Sequence, residues 1–187
     1  HDNMLWVGTR NDGLYIYDID KDMIINVAEK YGIDNIEHAV VREITCDEFE
    51  NMWIATNMGL YCINLNTKET CCYVNDKKDN GSIPNNDVYD LMLADDLLYV
   101  TTGDGLAVYD YETDGFVTYR IPDTFTKDDV VKNNGLFDIV VGGDGRYYIG
   151  SYSCGMLALS PDTKTFKTSK REDSFGTMVY SIIPDDN

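Results

Sequence analysis

Leu98-Tyr99-Val100-Thr101-Thr102, with Gly105-Leu106 shortly after it, decides the fold, because the same phrase is written four times. The other copies are Leu5-Trp6-Val7-Gly8-Thr9, Met52-Trp53-Ile54-Ala55-Thr56 and Tyr147-Tyr148-Ile149-Gly150-Ser151. Each is followed by a glycine and an apolar residue: Gly13-Leu14, Gly59-Leu60, Gly105-Leu106 and Gly155-Met156. The copies lie about 46 to 50 residues apart, a period that several short strands per unit would fill as propeller blades. One such sheet cannot bury both faces alone, so neighbours must stack. The expectation is an all-β chain of β-propeller blades, four repeats of four-stranded antiparallel sheets.

The third repeat shows the grammar of one blade. After the turn formers Asn85-Asn86-Asp87, the spacing predicts a first strand from Val88 to Leu93 and a turn at Ala94-Asp95-Asp96. A second strand then runs from Leu97 to Thr101, a third from Leu106 to Asp110 and a fourth from Phe116 to Arg120. Ile44, Leu91, Ile139 and Ile182 mark equivalent points of the first strand, each followed by a turn with Asp47, Asp95, Asp144 or Asp185. The third-to-fourth hairpins align as Asp18 to Met23, Asn64 to Thr70, Asp110 to Phe116 and Ser160 to Phe166. Stretches with little apolar periodicity join the blades, roughly 28–38, 76–87, 122–134 and 170–177.

The unbroken repeat argues for one domain over residues 1–187, with an N-terminal blade that lacks its first strand and a C-terminal blade that has only that strand. Two arrangements satisfy this count. Val179 to Ile183 could pair beside Leu5 to Thr9 and close a ring of four blades, the low limit for propellers. Alternatively the chain is cut from a larger propeller, the reading favoured here.

Composition bounds the function. Apolar residues make up 43% of the chain and aromatics 12%, enough for a packed core, and the fourteen tyrosines suit strands. The formal charge of −18 excludes nucleic acid, whose phosphates need a basic footprint, and disfavours direct contact with an anionic membrane. No apolar run approaches the roughly 20 residues of a membrane helix, and His1-Asp2-Asn3 does not begin a signal peptide. The five cysteines, Cys46, Cys62, Cys71, Cys72 and Cys154, fit no zinc or haem spacing. Most read as small buried hydrophobes, although Cys62 and Cys71 flank a hairpin and could oppose one another.

Catalysis has little to work with. Of the two histidines, His1 is terminal and His38 lies between blades, and nothing places His38 near Ser153 or Cys154. Paired carboxylates are uninformative among 33 acidic residues, most of them solvated turn residues. Asp18, Asp20 and Asp22 alternate like the start of a calcium loop, without its glycine and closing glutamate. Gly142-Gly143-Asp144-Gly145 has no following helix and no lysine, so it reads as a tight turn rather than a phosphate cradle. No metal, cofactor or catalytic residue is expected.

Trp6, Trp53, Tyr99 and Tyr148 recur at one blade position and so belong to inter-blade packing. A binding site is better sought where the repeat breaks. Just after the Thr or Ser of each phrase, at the second-to-third strand loops, the residue changes in every blade: Arg10, Asn57, Gly103 and Tyr152. Loops on a rigid scaffold are where binding resides, and the candidate ligand contacts are Arg10, Asn57, Asp104 and Tyr152.

Gly81-Ser82-Ile83-Pro84-Asn85-Asn86-Asp87-Val88, the Trp-Ile-Ala-Thr strand, the Gly-Leu pair and the Tyr109-Asp110…Phe116…Tyr119 hairpin together resemble the two-component regulator propeller repeat. The resemblance covers essentially the whole chain; Tyr99 and Tyr148 depart from it in place of Trp, and Ala55 and Thr101 in place of Gly. It implies the periplasmic sensor region of Bacteroides-type hybrid two-component histidine kinases. There such repeats usually form two seven-blade propellers, then a β-sandwich, a membrane helix and the kinase, and respond to oligosaccharides. On that resemblance the chain is a non-catalytic sensing segment. Its partners would be an oligosaccharide or other small neutral ligand, further blades of its parent propeller and a second copy in a homodimer. A free-standing interaction module binding a basic protein is the alternative, and a propeller lyase or hydrolase a more remote one.

Overall fold

The computed structural model describes residues 3–125, 133–168 and 178–185. Each repeat folds into one antiparallel meander whose strands pair in chain order. Blade 1 holds β1 (Met4–Gly8), β2 (Leu14–Asp18) and β3 (Met23–Asn26). After a short helix α1 (Val27–Tyr31), blade 2 holds β4 (Val41–Cys46), β5 (Asn51–Thr56), β6 (Gly59–Asn64) and β7 (Thr70–Tyr73). Blade 3 holds β8 (Val88–Ala94), β9 (Leu97–Thr102), β10 (Gly105–Asp110) and β11 (Gly115–Tyr119). Blade 4 holds β12 (Leu136–Val141), β13 (Tyr147–Ser151), β14 (Met156–Ser160) and β15 (Thr165–Thr168). The sequence thus places the strands of the third repeat to within a residue or two.

Alternation along each strand sends one set of side chains to either neighbouring blade. Between blades 1 and 2, Leu14 and Ile16 meet Met52, Ile54, Tyr61 and Ile63. Between blades 2 and 3, Trp53, Ala55, Leu60 and Cys62 meet Leu98, Val100, Ala107, Tyr109 and Phe116. Between blades 3 and 4, Tyr99, Leu106 and Val108 meet Tyr147, Ile149, Leu157, Leu159 and Phe166. The repeated aromatic position packs between blades at Trp6, Trp53 and Tyr99, whereas Tyr148 is half-buried and bonds Asp144 of its own blade; Trp53 and Tyr99 are fully buried, and truncating Trp53 to Ala should cost about 3–5 kcal/mol. Inner strand β8 touches β4 on one side and β12 on the other.

The repeated Thr and Gly have a common cause. Thr56 Oγ1 donates to the Gly59 carbonyl (2.7 Å) and accepts from Met58 N (3.0 Å), closing the loop between β5 and β6. Thr9, Thr102 and Ser151 donate likewise to Gly13, Gly105 and Gly155. Gly59 has φ 125°, and a Cβ there would stand 2.6 Å from the Tyr73 carbonyl oxygen, so no other residue fits.

One sequence expectation needs correction, and one connection holds more structure than its weak apolar periodicity suggests. The stretch at 28–38 is not structureless: Asn26 Oδ1 caps α1 by accepting from Glu29 N (3.2 Å), and Gly32 ends it in the left-handed region. Val27 and Ile36 bury against blades 1 and 2, which is why the connection folds back. Most cysteines are not buried: only Cys62 is, while Cys71 and Cys72 are exposed on the outer edge strand β7, Cys46 is exposed at the end of β4 and Cys154 is half-buried. Cys62 and Cys71 do oppose one another in register, as free thiols.

The arc is open. Val179 N donates to the Ser151 carbonyl (3.0 Å), as Val41 N donates to that of Thr9 (2.9 Å). The segment 178–185 therefore lies on the far side of blade 4, where an inner strand would lie, and not beside Leu5 to Thr9. It forms no regular strand, since no second strand pairs with it among the described residues. At the other end, the outer face of blade 1 exposes Leu5 (52%), Val7 (43%) and Ile24 (72%).

Candidate functional site

One end of the arc carries all the second-to-third strand loops. In blades 2, 3 and 4 the first residue of the loop is fixed by its backbone: Asn57 N donates to Val40 O, Gly103 N to Asp87 O and Tyr152 N to Gly135 O. This anchors the start of each blade's own inner strand to the loop. The side chain at that position is left out of the ladder, and its variation between blades follows.

Immediately after this anchor, each inner strand carries a β-bulge. Register shifts fall between Val41 and Glu43, Val88 and Asp90, and Leu136 and Asp138. The extra residue of a bulge is turned out of the ladder, and those residues are Arg42, Tyr89 and Phe137. Tyr180 follows at the equivalent point of the last segment. The four form a continuous lane across successive blades. The Arg42 guanidinium lies 4.2 Å over the Tyr89 ring. Tyr89 meets Phe137 edge-to-face at 4.8 Å, and Phe137 stacks on Tyr180 at 4.6 Å with 26° between planes. Tyr152 flanks Phe137 at 6.2 Å. Tyr180 (65%) and Tyr152 (43%) leave ring surface open to solvent, whereas Tyr89 and Phe137 are half-buried.

The polar groups of this face are largely committed to one another. Arg42 bonds the Asp87 carboxylate (2.6 Å) and the Val88 carbonyl (2.7 Å), and Tyr89 Oη donates to Asp87 (3.1 Å). Burial, then the neighbouring Asp87, raises the Tyr89 phenol above its usual range. Asp104 accepts from Arg120 (3.0 Å) and from Asn134 Nδ2 (2.9 Å), while Asn134 Oδ1 is buried without a hydrogen-bond partner among the described residues.

Behind the lane runs a row of acids at the post-bulge position: Glu43, Asp90 and Asp138. Asp90 accepts from Leu91 N (2.8 Å) and from Ile139 N of the next blade (2.9 Å). Burial pushes its carboxyl up to about 7, the nearby Asp138 adds to the rise, and the two backbone donors oppose it.

The four sequence candidates take different places. Tyr152 joins the lane. Asp104 sits beside it, bound to Arg120 and Asn134. Asn57 Oδ1 accepts from Val40 N (2.8 Å), and Arg10 stands exposed on blade 1. Arg42, Tyr89, Phe137 and Tyr180 went unnamed at the level of sequence, though they lie in phase with the repeat, each one residue after Val41, Val88, Leu136 or Val179.

Elsewhere, Asp18, Asp20 and Asp22 are held by Lys21, Asn3 and Tyr17 respectively, in three directions. His38 is exposed beside Glu37 at 3.7 Å. A cavity of about 280 Å³ at the opposite end is lined by Asp47, Phe49, Asp95 and Tyr111. A larger one, about 410 Å³, lies on the uncovered face of blade 1 against Val7, Tyr15, Tyr17 and Ile24. Among the described residues no helix is long and apolar enough to cross a membrane.

The blade architecture has solved counterparts. The chain is similar to the extracellular domain of the putative hybrid two-component system BT3049 from B. thetaiotaomicron, at 19% identity and a TM-score of 0.74, over 98% of this chain and 23% of that one. It is also similar to the extracellular domain of BT4673 from the same organism, at 19% identity and a TM-score of 0.71, over 93% of this chain and 21% of that one. PorZ, a surface component of the type-IX secretion system of Porphyromonas gingivalis, aligns at 13% identity and a TM-score of 0.54, over 84% of this chain and 23% of that one. At these identities the likeness establishes the propeller-blade fold that the repeats announced, and the chain spans about a fifth to a quarter of each counterpart. No protein-family model matches the chain. No curated protein matches it either.

Proposed function

We propose that this chain is a ligand-sensing propeller segment from the periplasmic, extracytoplasmic part of a hybrid two-component sensor kinase. It is not itself catalytic, and its ligand is an oligosaccharide. One observation carries the reading: 98% of the chain aligns in fold with an extracellular domain named for such a system. The loop-bearing face, with an aromatic lane on a rigid frame, supplies the kind of surface on which sugar rings stack. His38 stands beside Glu37, and Ser153 and Cys154 contact one another on blade 4, so among the described residues no nucleophile–base pair supports a hydrolase. Binding would be transmitted by differential affinity for two arrangements of paired sensor chains.

The exposed apolar face of blade 1 fits the same reading. Leu5, Val7, Tyr15 and Tyr17 stand where Met52, Ile54, Tyr61 and Ile63 stand in blade 2, and those pack onto blade 1. A preceding blade of the same propeller would cover them in the same way. The patch is also what an interaction module would expose.

Autophosphorylation of the full-length protein in membrane vesicles, measured with and without a glycan panel, tests the proposal. A glycan-dependent change in phosphohistidine formation is expected. Absence of any kinase activity would overturn it.

A further inference from the structure

We infer that hydroxyl groups of the ligand are read in a pocket beside the lane, between the connection 75–84 and the outer strand of blade 3. The inference rests on the sugar-sensing reading above and adds to it a place and a chemistry of recognition. The pocket holds about 320 Å³. That is the small end of the roughly 300–1,000 Å³ usual for small-molecule sites, so it suits one unit of a saccharide chain. Asp104, in the loop between β9 and β10, forms part of its wall and sets it on the loop-bearing face. The neighbouring Gly103 approaches Gly135, where an added Cβ would stand 3.7 Å from the Gly103 carbonyl oxygen and 3.5 Å from Tyr152 Cβ. The pocket and the lane therefore share one face.

The walls are fixed in advance. Asp76 Oδ1 accepts from Lys78 N and Asp79 Oδ1 from Gly81 N, both at 2.9 Å. Ser82 Oγ accepts from Asp76 N (3.0 Å), and the Gly81 carbonyl accepts from Phe116 N of β11 (2.8 Å). The connection is thereby bound both to itself and to the outer strand of blade 3. Across from it, Arg120 Nε and Nη2 both reach Asp104 Oδ2, at 3.2 and 3.0 Å. These bonds leave the second oxygen of Asp76, that of Asp79, and Arg120 Nη1 for a ligand. Among the described residues Lys77 Nζ, the Asn80 amide and the Thr118 hydroxyl, which also line the pocket, make no hydrogen bond.

Donors and acceptors thus face the same small space. An anion would satisfy only the donors and a metal ion only the acceptors. Among the described residues no group of three or more His, Cys, Asp or Glu is placed to hold a metal ion. A hydroxyl donates one hydrogen bond and accepts two, so neighbouring hydroxyls of one sugar serve both kinds at once.

The test is calorimetric titration of the full-length protein in detergent micelles with maltohexaose, cellohexaose, xylohexaose, oligogalacturonate and sulfated glycosaminoglycan fragments. The glycan that binds is then titrated into the double variant Lys77→Ala, Asn80→Ala and, in permethylated form, into wild type. Both substituted side chains are exposed, so equal melting temperatures are expected. Affinity should fall at least about tenfold in the double variant. The permethylated glycan should not bind, because the open oxygens of Asp76 and Asp79 would be left without donors. A smaller loss in the double variant, or retained binding of the permethylated glycan, overturns this inference and leaves the sugar-sensing reading standing. Binding of none of the glycans overturns that reading and the inference with it.

Discussion

The Tyr111 hydroxyl of blade 3 donates to Asp47 Oδ2 of blade 2 at 2.9 Å, and the same oxygen accepts from Trp53 Nε1 at 2.8 Å. One turn carboxylate thus joins two blades at the end opposite the lane. Asn51 and Phe49 complete its shell with three more donors. Tyr147 of blade 4 makes the corresponding bond to Asp95 of blade 3. In blades 2 and 3 the acidic turn is therefore an inter-blade clasp, whereas Asp144 of blade 4 accepts from Arg146 N and Tyr148 Oη of its own blade.

Asp47→Ala should strand the Trp53 and Tyr111 donors in a buried setting and cost about 3 kcal/mol. For a chain of this size that lowers Tm by roughly 6–12 °C, measured by calorimetry. Tyr111→Phe, which removes one donor and leaves the rest of the shell, should cost about 1 kcal/mol.

Asp47 and Asp90 predict pH dependences of opposite sign. Burial alone would raise the Asp47 carboxyl, but hydrogen bonds from Trp53, Asn51 and Tyr111 outweigh it and hold it below the usual carboxylate range. Its contribution is present above about pH 4 and is lost as pH falls through the lowered value. Asp90, pushed up to about 7 by burial and by Asp138, binds a proton in the fold that the unfolded chain releases. Its contribution is complete below about pH 4 and disappears as pH rises through 7. Melting curves should therefore show stability falling between about pH 4 and 7 in wild type, and Asp90→Asn should remove that slope. An unchanged slope in the variant would mean that Asp90 does not carry the proton.

Gly59→Ala should cost about 1–3 kcal/mol, because the backbone lies at φ 125° and the new methyl meets the Tyr73 carbonyl. Gly143→Ala, in a turn with no atom within 4 Å of the added carbon, should change stability by less than about 0.5 kcal/mol. Denaturant titrations of the two variants give the comparison directly.

Thiol labelling should separate the cysteines. Cys62 is buried and its thiol is pushed up to about 12, chiefly by burial and next by Cys71, so it should react with a disulfide reagent only after unfolding. Exposed Cys71 and Cys72, on the edge strand, should label in the native state. Peptide mass spectrometry reads both outcomes. Rapid native labelling of Cys62 would show that blades 2 and 3 separate readily.

Much of this was legible in the amino acids. The phrase around Trp53 and Tyr99 fixes strand, face and blade because each of its residues has a repeated duty: aromatic between blades, small residue under the next inner strand, threonine over the loop, glycine at its end. The lane was not legible, since a bulge breaks the alternation from which strands are recognised. Arg42, Tyr89 and Phe137 read as ordinary in-plane residues until the register shift turns them outward. Superposing the repeats would have aligned them, but their stacking follows from the angle between blades, which no single repeat contains. Asn57 was singled out for varying between blades, and that variation is permitted because its backbone alone does the repeated work. The helix α1 does not show in the apolar pattern, although Asn26, Glu29 and Gly32 are capping residues in sequence order, because five residues with one buried position, Val27, are too short to show a period.

The reading frame that contains this chain tests the central claim most directly. The account predicts further blade-type repeats on both sides, with a membrane helix and a histidine kinase downstream. A signal peptide directly before His1 and a stop codon soon after Asn187 would contradict it, and a free-standing four-blade module would take the place of the sensor.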